Sequence, residues 1–275
     1  MGRNPVRPRA LLMGVLLAAI LSILLAGPAF ADGTSVVFPP PVSPNGHRIY
    51  DLYIYISYVA IPIFIGVEVG LLLIILKFRR RHPDHYGATW HDNTKVEIAW
   101  TIAPTVIVAV IGYLSFVELE KDFNPDHFAQ NVAAADQMNI CVQGYQFYWT
   151  YTYTNNPGCD PGELQDKTKV VAKDTLVVPV GKFVHLTMHS DNVIHSWWVP
   201  AISGKTDAVP GYDNQMFMQI EKTGSWQGEC AELCGVGHYQ MQIKVTAMNQ
   251  TDFTSWANQQ KAAANRPAPT PSPTK

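Results

Sequence analysis

LYIYISYVAIPIFIGVEVGLLLIIL, residues 52 to 76, holds one charged side chain, Glu68, in 25 residues. A helix rising about 1.5 Å per residue passes the roughly 30 Å hydrocarbon core of a bilayer well within that length, so the stretch predicts a membrane anchor. Directly after it come Lys77, Arg79, Arg80 and Arg81. Basic residues collect on the cytoplasmic side, which predicts that the loop they open faces inward. A second apolar run, VEIAWTIAPTVIVAVIGYLSFV from 96 to 117, carries one acid, Glu97, and one proline, Pro104. Membrane helices tolerate such a proline where neighbours re-satisfy the freed backbone groups. Ahead of both, residues 1–31 begin basic (MGRNPVRPRA), turn apolar (LLMGVLLAAILSILLAG) and end on Ala29-Phe30-Ala31. That is the pattern of a secretory signal peptide; the length of its apolar run leaves an uncleaved anchor helix as the alternative.

The predicted organisation is a leader at 1–31, an outer segment at 32–50, transmembrane helices at 51–78 and 94–118 joined by a cytoplasmic loop at 79–93, an outer domain at 119–262, and a Pro-rich tail at 263–275 with nothing to bury. Both mature termini then lie on the outer face of a bacterial-type plasma membrane. Whole-chain averages, 47% apolar residues and a net charge of −2 over 275 residues, are ordinary and conceal this division. From Glu118 to the C-terminus, 11 Lys and Arg against 16 Asp and Glu leave a charge of −5. Such a field attracts a basic partner and excludes nucleic-acid binding.

In the outer domain, QMNICVQGYQFYWTYTY (137 to 153) is β-branched and aromatic, TLVVPVGKFVHLTMHS (175 to 190) alternates around a Pro-Val-Gly turn, and QMFMQI (215 to 220) and QMQIKVTAM (240 to 248) are shorter runs. Short strands between turn clusters predict a sandwich or small barrel. Thr251 is placed to cap a short C-terminal helix, DFTSWANQQKA.

Four cysteines fall here. Cys141 and Cys159 flank the aromatic strand and its turn and form a candidate disulfide in an oxidising compartment. Cys230 and Cys234 belong to CAELCGVGHYQM (230 to 241), where Cys230, Cys234 and His238 stand four residues apart. That spacing suits a helix face, a disulfide loop or a ligand set. Thiolate and thioether donors select copper, imidazole suits it, and methionine is a poor zinc ligand. A one-copper blue site needs a single Cys; a second thiolate allows two coppers to be bridged. A Cys2His2 zinc site using His195 and ignoring Met241 is the rival, as is a Cys230–Cys234 disulfide.

With these motifs in hand, the chain resembles subunit II of haem-copper cytochrome c oxidases. The resemblance runs through H-x-N-x-x-x-E-x-x-W-T-x-x-P (His91 to Pro104), an aromatic segment, D-x-x-H-S at 191 to 196 with one extra residue, K-T-D-A-V-P-G (205 to 211) and C-x-E-x-C-G-x-x-H-x-x-M. It implies a membrane-anchored two-domain chain: a transmembrane α-helical hairpin followed by an all-β cupredoxin domain, a Greek-key sandwich holding a dinuclear copper centre, CuA. Cys230 and Cys234 would bridge the metals, His195 and His238 would bind one each, and Met241 with the backbone carbonyl of Glu232 would complete the set. The Glu232 side chain would reach a magnesium ion shared with subunit I. Glu97 would stand at the entrance of a proton channel, and Glu68 would contact subunit I.

The implied function is that of an aa3-type oxidase subunit, taking electrons from cytochrome c and passing them to the haem of subunit I for proton-pumping reduction of dioxygen to water, with subunit III as a further partner. There is no C-x-x-C-H, so the donor haem is on a separate protein. Docking candidates are Asp191, Asp207, Asp213 and Glu229. One departure concerns electron entry: where the family often reads G-x-Q-W-Y-W, this chain has Phe147 at the first Trp position, making Phe147, Tyr148 and Trp149 the entry candidates. The alternatives are the CuA subunit of another terminal reductase, such as a nitric oxide reductase, and a membrane-anchored copper carrier.

Overall fold

A computed structural model of the protein describes residues 38–79, 86, 87, 89, 91–123 and 137–264. The expected leader, most of the loop at 79–93 and residues 265–275 of the expected tail lie outside these.

Two long helices open the described chain, α1 (Pro44–Lys77) and α2 (Thr94–Phe123). Their most apolar 18-residue windows have mean hydropathies of 2.7 and 2.0, and their large apolar side chains face outward. Such helices are suited to a bilayer, because their backbone groups are satisfied internally and their exposed surfaces are apolar. Helix α1 starts seven residues before the span expected at 51–78, inside the segment expected to precede it. The early start has a packing cause. Val42 N–H donates to Ala201 O at 2.9 Å and Glu221 N–H to Val42 O at 2.9 Å, so the chain entering α1 is pinned to the β domain. Ser43 caps the helix, accepting from Gly46 N–H at 3.0 Å and donating to Ile202 O. Gly46 is obligatory here: a Cβ would lie 2.6 Å from Ala201 O. At the other end of the pair, Asn93 caps α2, its Oδ1 accepting from Val96 N–H at 3.4 Å, while Glu97 reaches back to Asn93 N–H at 3.3 Å. Glu97 thus has a capping role that the sequence pattern alone did not suggest.

The β domain is two five-stranded sheets packed face to face. In chain order the strands are β1 (Gln137–Tyr145), β2 (Tyr148–Thr154), β3 (Val171–Lys173), β4 (Thr175–Pro179), β5 (Phe183–Ser190), β6 (His195–Trp198), β7 (Thr206–Ala208), β8 (Asn214–Gln219), β9 (Gly224–Cys230) and β10 (Gln242–Met248). One sheet runs β3-β2-β1-β5-β8 and the other β4-β10-β9-β6-β7. Alternate residues face inward, as the two-residue period of a strand requires. Ile140, Val142, Tyr151, Val184, Leu186 and Met218 of the first sheet meet Leu176, Val178, Trp197, Ile243 and Val245 of the second. The Pro-Val-Gly turn carries the chain from β4 in one sheet to β5 in the other. A five-residue helix α3 (Pro161–Gln165) follows β2, and α4 (Gln250–Ala264) closes the domain with Phe253 and Trp256 against Tyr153.

Two expectations need correction. The aromatic run 137–153 is not one strand: it reverses at Gln146–Phe147, with Tyr145 paired to Tyr148 and Gly144 to Trp149. No Asn-Gly or Asp-Gly marks that turn, so a period-two reading runs straight through it. The cap of α4 is Asn249 rather than Thr251, its Oδ1 accepting from Asp252 N–H at 2.8 Å.

Candidate metal centre

Register assembles the site. Strand β1 pairs antiparallel with β2 and parallel with β5, so Gly144 has Trp149 on one side and Ser190 on the other. The turn leaving Ser190 therefore delivers His195, first residue of β6, over Gly144. In the facing sheet β6 pairs with β9, setting Trp197 opposite Cys230, the last residue of that strand. The loop 231–241 is then closed by backbone bonds at both ends: Ala231 N–H to Ser196 O at 2.8 Å, Cys230 N–H to Met241 O at 3.0 Å, and Met241 N–H to His238 O at 3.1 Å. Gly235, at φ 130°, turns the chain where an L side chain would be strained, so the four-residue spacing runs through a loop and a single 3-10 turn (His238–Gln240), not along a helix face.

Six donors converge as a result. The thiols of Cys230 and Cys234 are free and 3.9 Å apart. Each has one imidazole: His195 Nδ1 lies 3.8 Å from Cys230 Sγ, and His238 Nδ1 lies 3.6 Å from Cys234 Sγ. Each also has one weak donor, Glu232 O at 3.3 Å from Cys230 Sγ and Met241 Sδ at 3.8 Å from Cys234 Sγ. His195, Cys230, Cys234 and Met241 are all buried. Burial, with the Cys230 thiol beside it, pushes Cys234 up to about 11. Burial, and then the nearby His238, pull His195 below the usual histidine value. Neutral imidazole is the form that binds a metal, and a thiol proton leaves as a metal arrives. Two unbonded thiols, two imidazoles, a thioether and a carbonyl are a fit for soft metal.

Several neighbours were not singled out beforehand. A Cβ on Gly144 would lie 2.8 Å from His195 Cδ2, so only glycine leaves room for the ring. Asn192 Oδ1 lies 3.1 Å from His195 Nε2. Gly237 and Gly235 cradle Phe147, whose ring carbons would be 2.4 Å and 3.2 Å from a Cβ at those positions. Gln146 Nε2 donates to Cys234 O, tying the β1–β2 hairpin to the ligand loop. Only the glycines and the Gly144-Tyr145-Gln146 motif offered a sequence signal for these.

The three aromatic candidates separate. Phe147 packs on the loop between Cys234 and His238; Tyr148 stacks on Tyr145 at 5.0 Å with Lys173 Nζ 4.2 Å from its ring centre; Trp149 is fully buried and 5.8 Å edge-on to His195. The acids separate too. His189 joins Asp213 at 2.7 Å and Asp191 at 3.1 Å, whereas Asp207 on β7 and Glu229 on β9 are exposed on the other sheet. The Glu232 side chain is exposed on the loop between Cys230 and Cys234, and Glu68 is exposed in the C-terminal third of α1. Cys141 and Cys159 are bonded, with Cα atoms 5.1 Å apart. Their bridge lies on the outer face of β1, opposite Ile140, Val142 and Gly144.

Residues 138–248 match the family model described as cytochrome c oxidase subunit II, periplasmic domain, and residues 31–117 match that of its transmembrane domain. The chain is 34% identical over 242 residues to a probable cytochrome c oxidase subunit 2 of Rickettsia bellii, covering 83% of this chain and 85% of the relative. It is 31% identical over 235 residues to cytochrome c oxidase subunit 2 of Alkalihalophilus pseudofirmus, covering 84% of this chain but only 64% of that longer relative. Among solved structures, the periplasmic domain of subunit II of the Bradyrhizobium japonicum cytochrome oxidase aligns at 29% identity with a TM-score of 0.40, covering 46% of this chain and 94% of that one.

Proposed function

This chain belongs to the cytochrome c oxidase subunit II family, and from that premise we propose that it is the electron-entry subunit of an aa3-type oxidase, with His195, Cys230, Glu232 through its carbonyl, Cys234, His238 and Met241 as the ligands of a dinuclear copper centre. The observation that carries this is the pair of free thiols 3.9 Å apart, each with its own imidazole and its own weak donor. A zinc site would leave Met241, 1% exposed and 3.8 Å from Cys234 Sγ, without a purpose. A carrier would favour exposed, exchangeable ligands, and here four of the six are buried.

Cys230 and Cys234 would hold the copper pair with their thiolates, and the pair would supply a site that takes up one electron with little bond rearrangement. The protein's part is to keep the donors in place and water out. Cys230 and Met241 are locked by their mutual backbone bond, His195 by Gly144 and Trp149, and the loop by Gln146. Rigid ligands with a fixed outer shell hold one geometry through both oxidation states. Phe147, the aromatic side chain against Gly235 and Gly237, is the proposed entry point, with Tyr148 beside it. A phenyl ring fills the gap but lacks the hydrogen-bonding handle of indole.

The donor is proposed to be a cytochrome c attracted by the −5 charge of the outer part of the chain, with Asp191, Asp207, Asp213 and Glu229 as contacts. Lys77, Arg79, Arg80 and Arg81 support placing the copper domain outside and the helix connection inside. Glu97, besides capping α2, is proposed as a proton-channel entrance on the inner side. The Glu232 side chain is proposed to share a magnesium ion with subunit I, and subunit III completes the complex.

Copper loading of the full chain tests the centre. One unpaired electron shared by two copper nuclei of spin 3/2 gives a seven-line paramagnetic resonance pattern, and Cys234→Ser abolishes it. A four-line spectrum, or zinc taken up in preference, would refute the assignment.

A further inference from the structure

The two imidazoles of this centre are braced differently. His195 presents Nδ1 to Cys230 Sγ at 3.8 Å and Nε2 to Asn192 Oδ1 at 3.1 Å. His238 presents Nδ1 to Cys234 Sγ at 3.6 Å, and its Nε2 has no hydrogen-bond partner among the described residues. We propose that Asn192 is a positioning residue that sets the tautomer and ring angle of His195, making the two ends of the copper pair unequal; this rests on the copper-binding reading above.

The orientation of the Asn192 amide follows from its neighbours. Val193 N–H lies 2.7 Å from the same side-chain atom that faces His195, and a backbone N–H can only donate, so that atom is the carbonyl oxygen. An amide oxygen only accepts. Nε2, the ring nitrogen facing this oxygen, must therefore carry a hydrogen, and Nδ1 is the nitrogen left facing the thiols. A short turn holds the oxygen in place: the Ser190 hydroxyl donates to Val193 O at 2.6 Å and accepts from Asn192 N–H at 3.4 Å. The His195 ring cannot escape this arrangement by rotating, since it is fully buried between Gly144 and Trp149. The partner that orients a ligating histidine also tunes its basicity. A neutral amide polarises the ring less than a carboxylate would, so the identity of residue 192 bears on the reduction potential and not only on geometry.

Asn192→Leu, Asn192→Ala and Asn192→Asp are compared in the full chain in detergent. In the copper-free protein, nitrogen chemical shifts of labelled histidine report the tautomer. The Nε2–H form of His195 is expected in the wild type and in Asn192→Asp, and a mixture in Asn192→Leu and Asn192→Ala. In the copper-loaded protein, Asn192→Asp is expected to lower the midpoint potential. Asn192→Leu and Asn192→Ala are expected to change the histidine nitrogen couplings of one imidazole while leaving the other as it was. Wild-type tautomer and potential in both apolar variants would overturn the proposal. The controls separate it from its premise: a wild-type chain that binds no copper pair defeats the copper reading, while the copper-free tautomer measurement still decides the role of Asn192.

Discussion

Replacing Gly144 by alanine adds one methyl group against the ring of His195, a proposed copper ligand. The new Cβ would sit 2.8 Å from His195 Cδ2, 3.0 Å from Cγ and 3.1 Å from Cβ. Carbon atoms pack best at about 3.5–4.0 Å, so ring or strand must retreat by about 0.7–1.2 Å. Gly144 does not occupy a left-handed conformation, and alanine therefore adds no backbone strain; only space is in question. Nor can the strand yield cheaply, because Gly144 is paired to Trp149 and Ser190 on either side. The ring has Trp149 at its edge and no solvent to move into. Overpacking of this kind costs about 1–3 kcal/mol. A shift near 1 Å is several times the roughly 0.2 Å tolerance of a metal–ligand distance. If most of the cost falls on the bound state, copper affinity drops by roughly 5- to 150-fold, at 1.4 kcal/mol per factor of ten. Competition with a copper chelator on the full chain measures this, and urea unfolding of the copper-free protein measures what falls on the fold alone. Wild-type copper affinity with an unchanged spectrum and unchanged copper-free stability would refute the steric reasoning.

Gly237→Ala presses on Phe147 rather than on a ligand, its Cβ 2.4 Å from Cδ2 of that ring, so the copper spectrum should persist while reduction by the donor slows; loss of copper instead would mean that the loop, not the ring, gives way. Phe147→Leu should likewise slow electron entry with the spectrum intact, and an unaltered donor rate would exclude Phe147 as the entry point. For His189, burial acts to lower the pKa, but hydrogen bonds and charge from Asp213 and Asp191 outweigh it and raise the value overall. The stabilisation is then complete below the unfolded value of about 6.5 and is lost as pH rises through the raised folded value. His189→Asn should cost up to about 1 kcal/mol at acidic pH, modest because the site is open to solvent, and little at pH about 9. Equal losses at both pH values in urea unfolding would count against it. Replacing Cys141 and Cys159 together by serine opens a cross-link spanning 18 residues and should cost on the order of 3 kcal/mol in urea unfolding, with copper unaffected because the bridge lies on the far face of β1; concurrent copper loss would contradict that separation.

The parts of this protein legible in one dimension are those whose physics is local. Residues 52–76 announce a membrane helix by apolar length, and Cys230 to Met241 bring soft donor types together in one short segment. Turns without a glycine or proline signature were not legible, as at Gln146–Phe147, nor was the cap at Asn249, which competes with an equally plausible Thr251 two residues on. The start of α1 at Pro44 was hidden for a different reason: it depends on Ala201 and Ile202, more than 150 residues downstream.

By itself, then, the sequence determined that the chain is anchored by two helices, that the part after them is β-rich, and where its soft donor side chains cluster, because hydrophobic length, strand period and donor type belong to single segments. Only the tertiary structure decided how His195, on one strand, meets Cys230, on another, and what surrounds them. Register brought Gly144, Asn192 and the hairpin at Phe147 to the same end of the sandwich. Those neighbours are set by pairing between distant strands, and a one-residue slip in β1 or β5 would carry them to the opposite face.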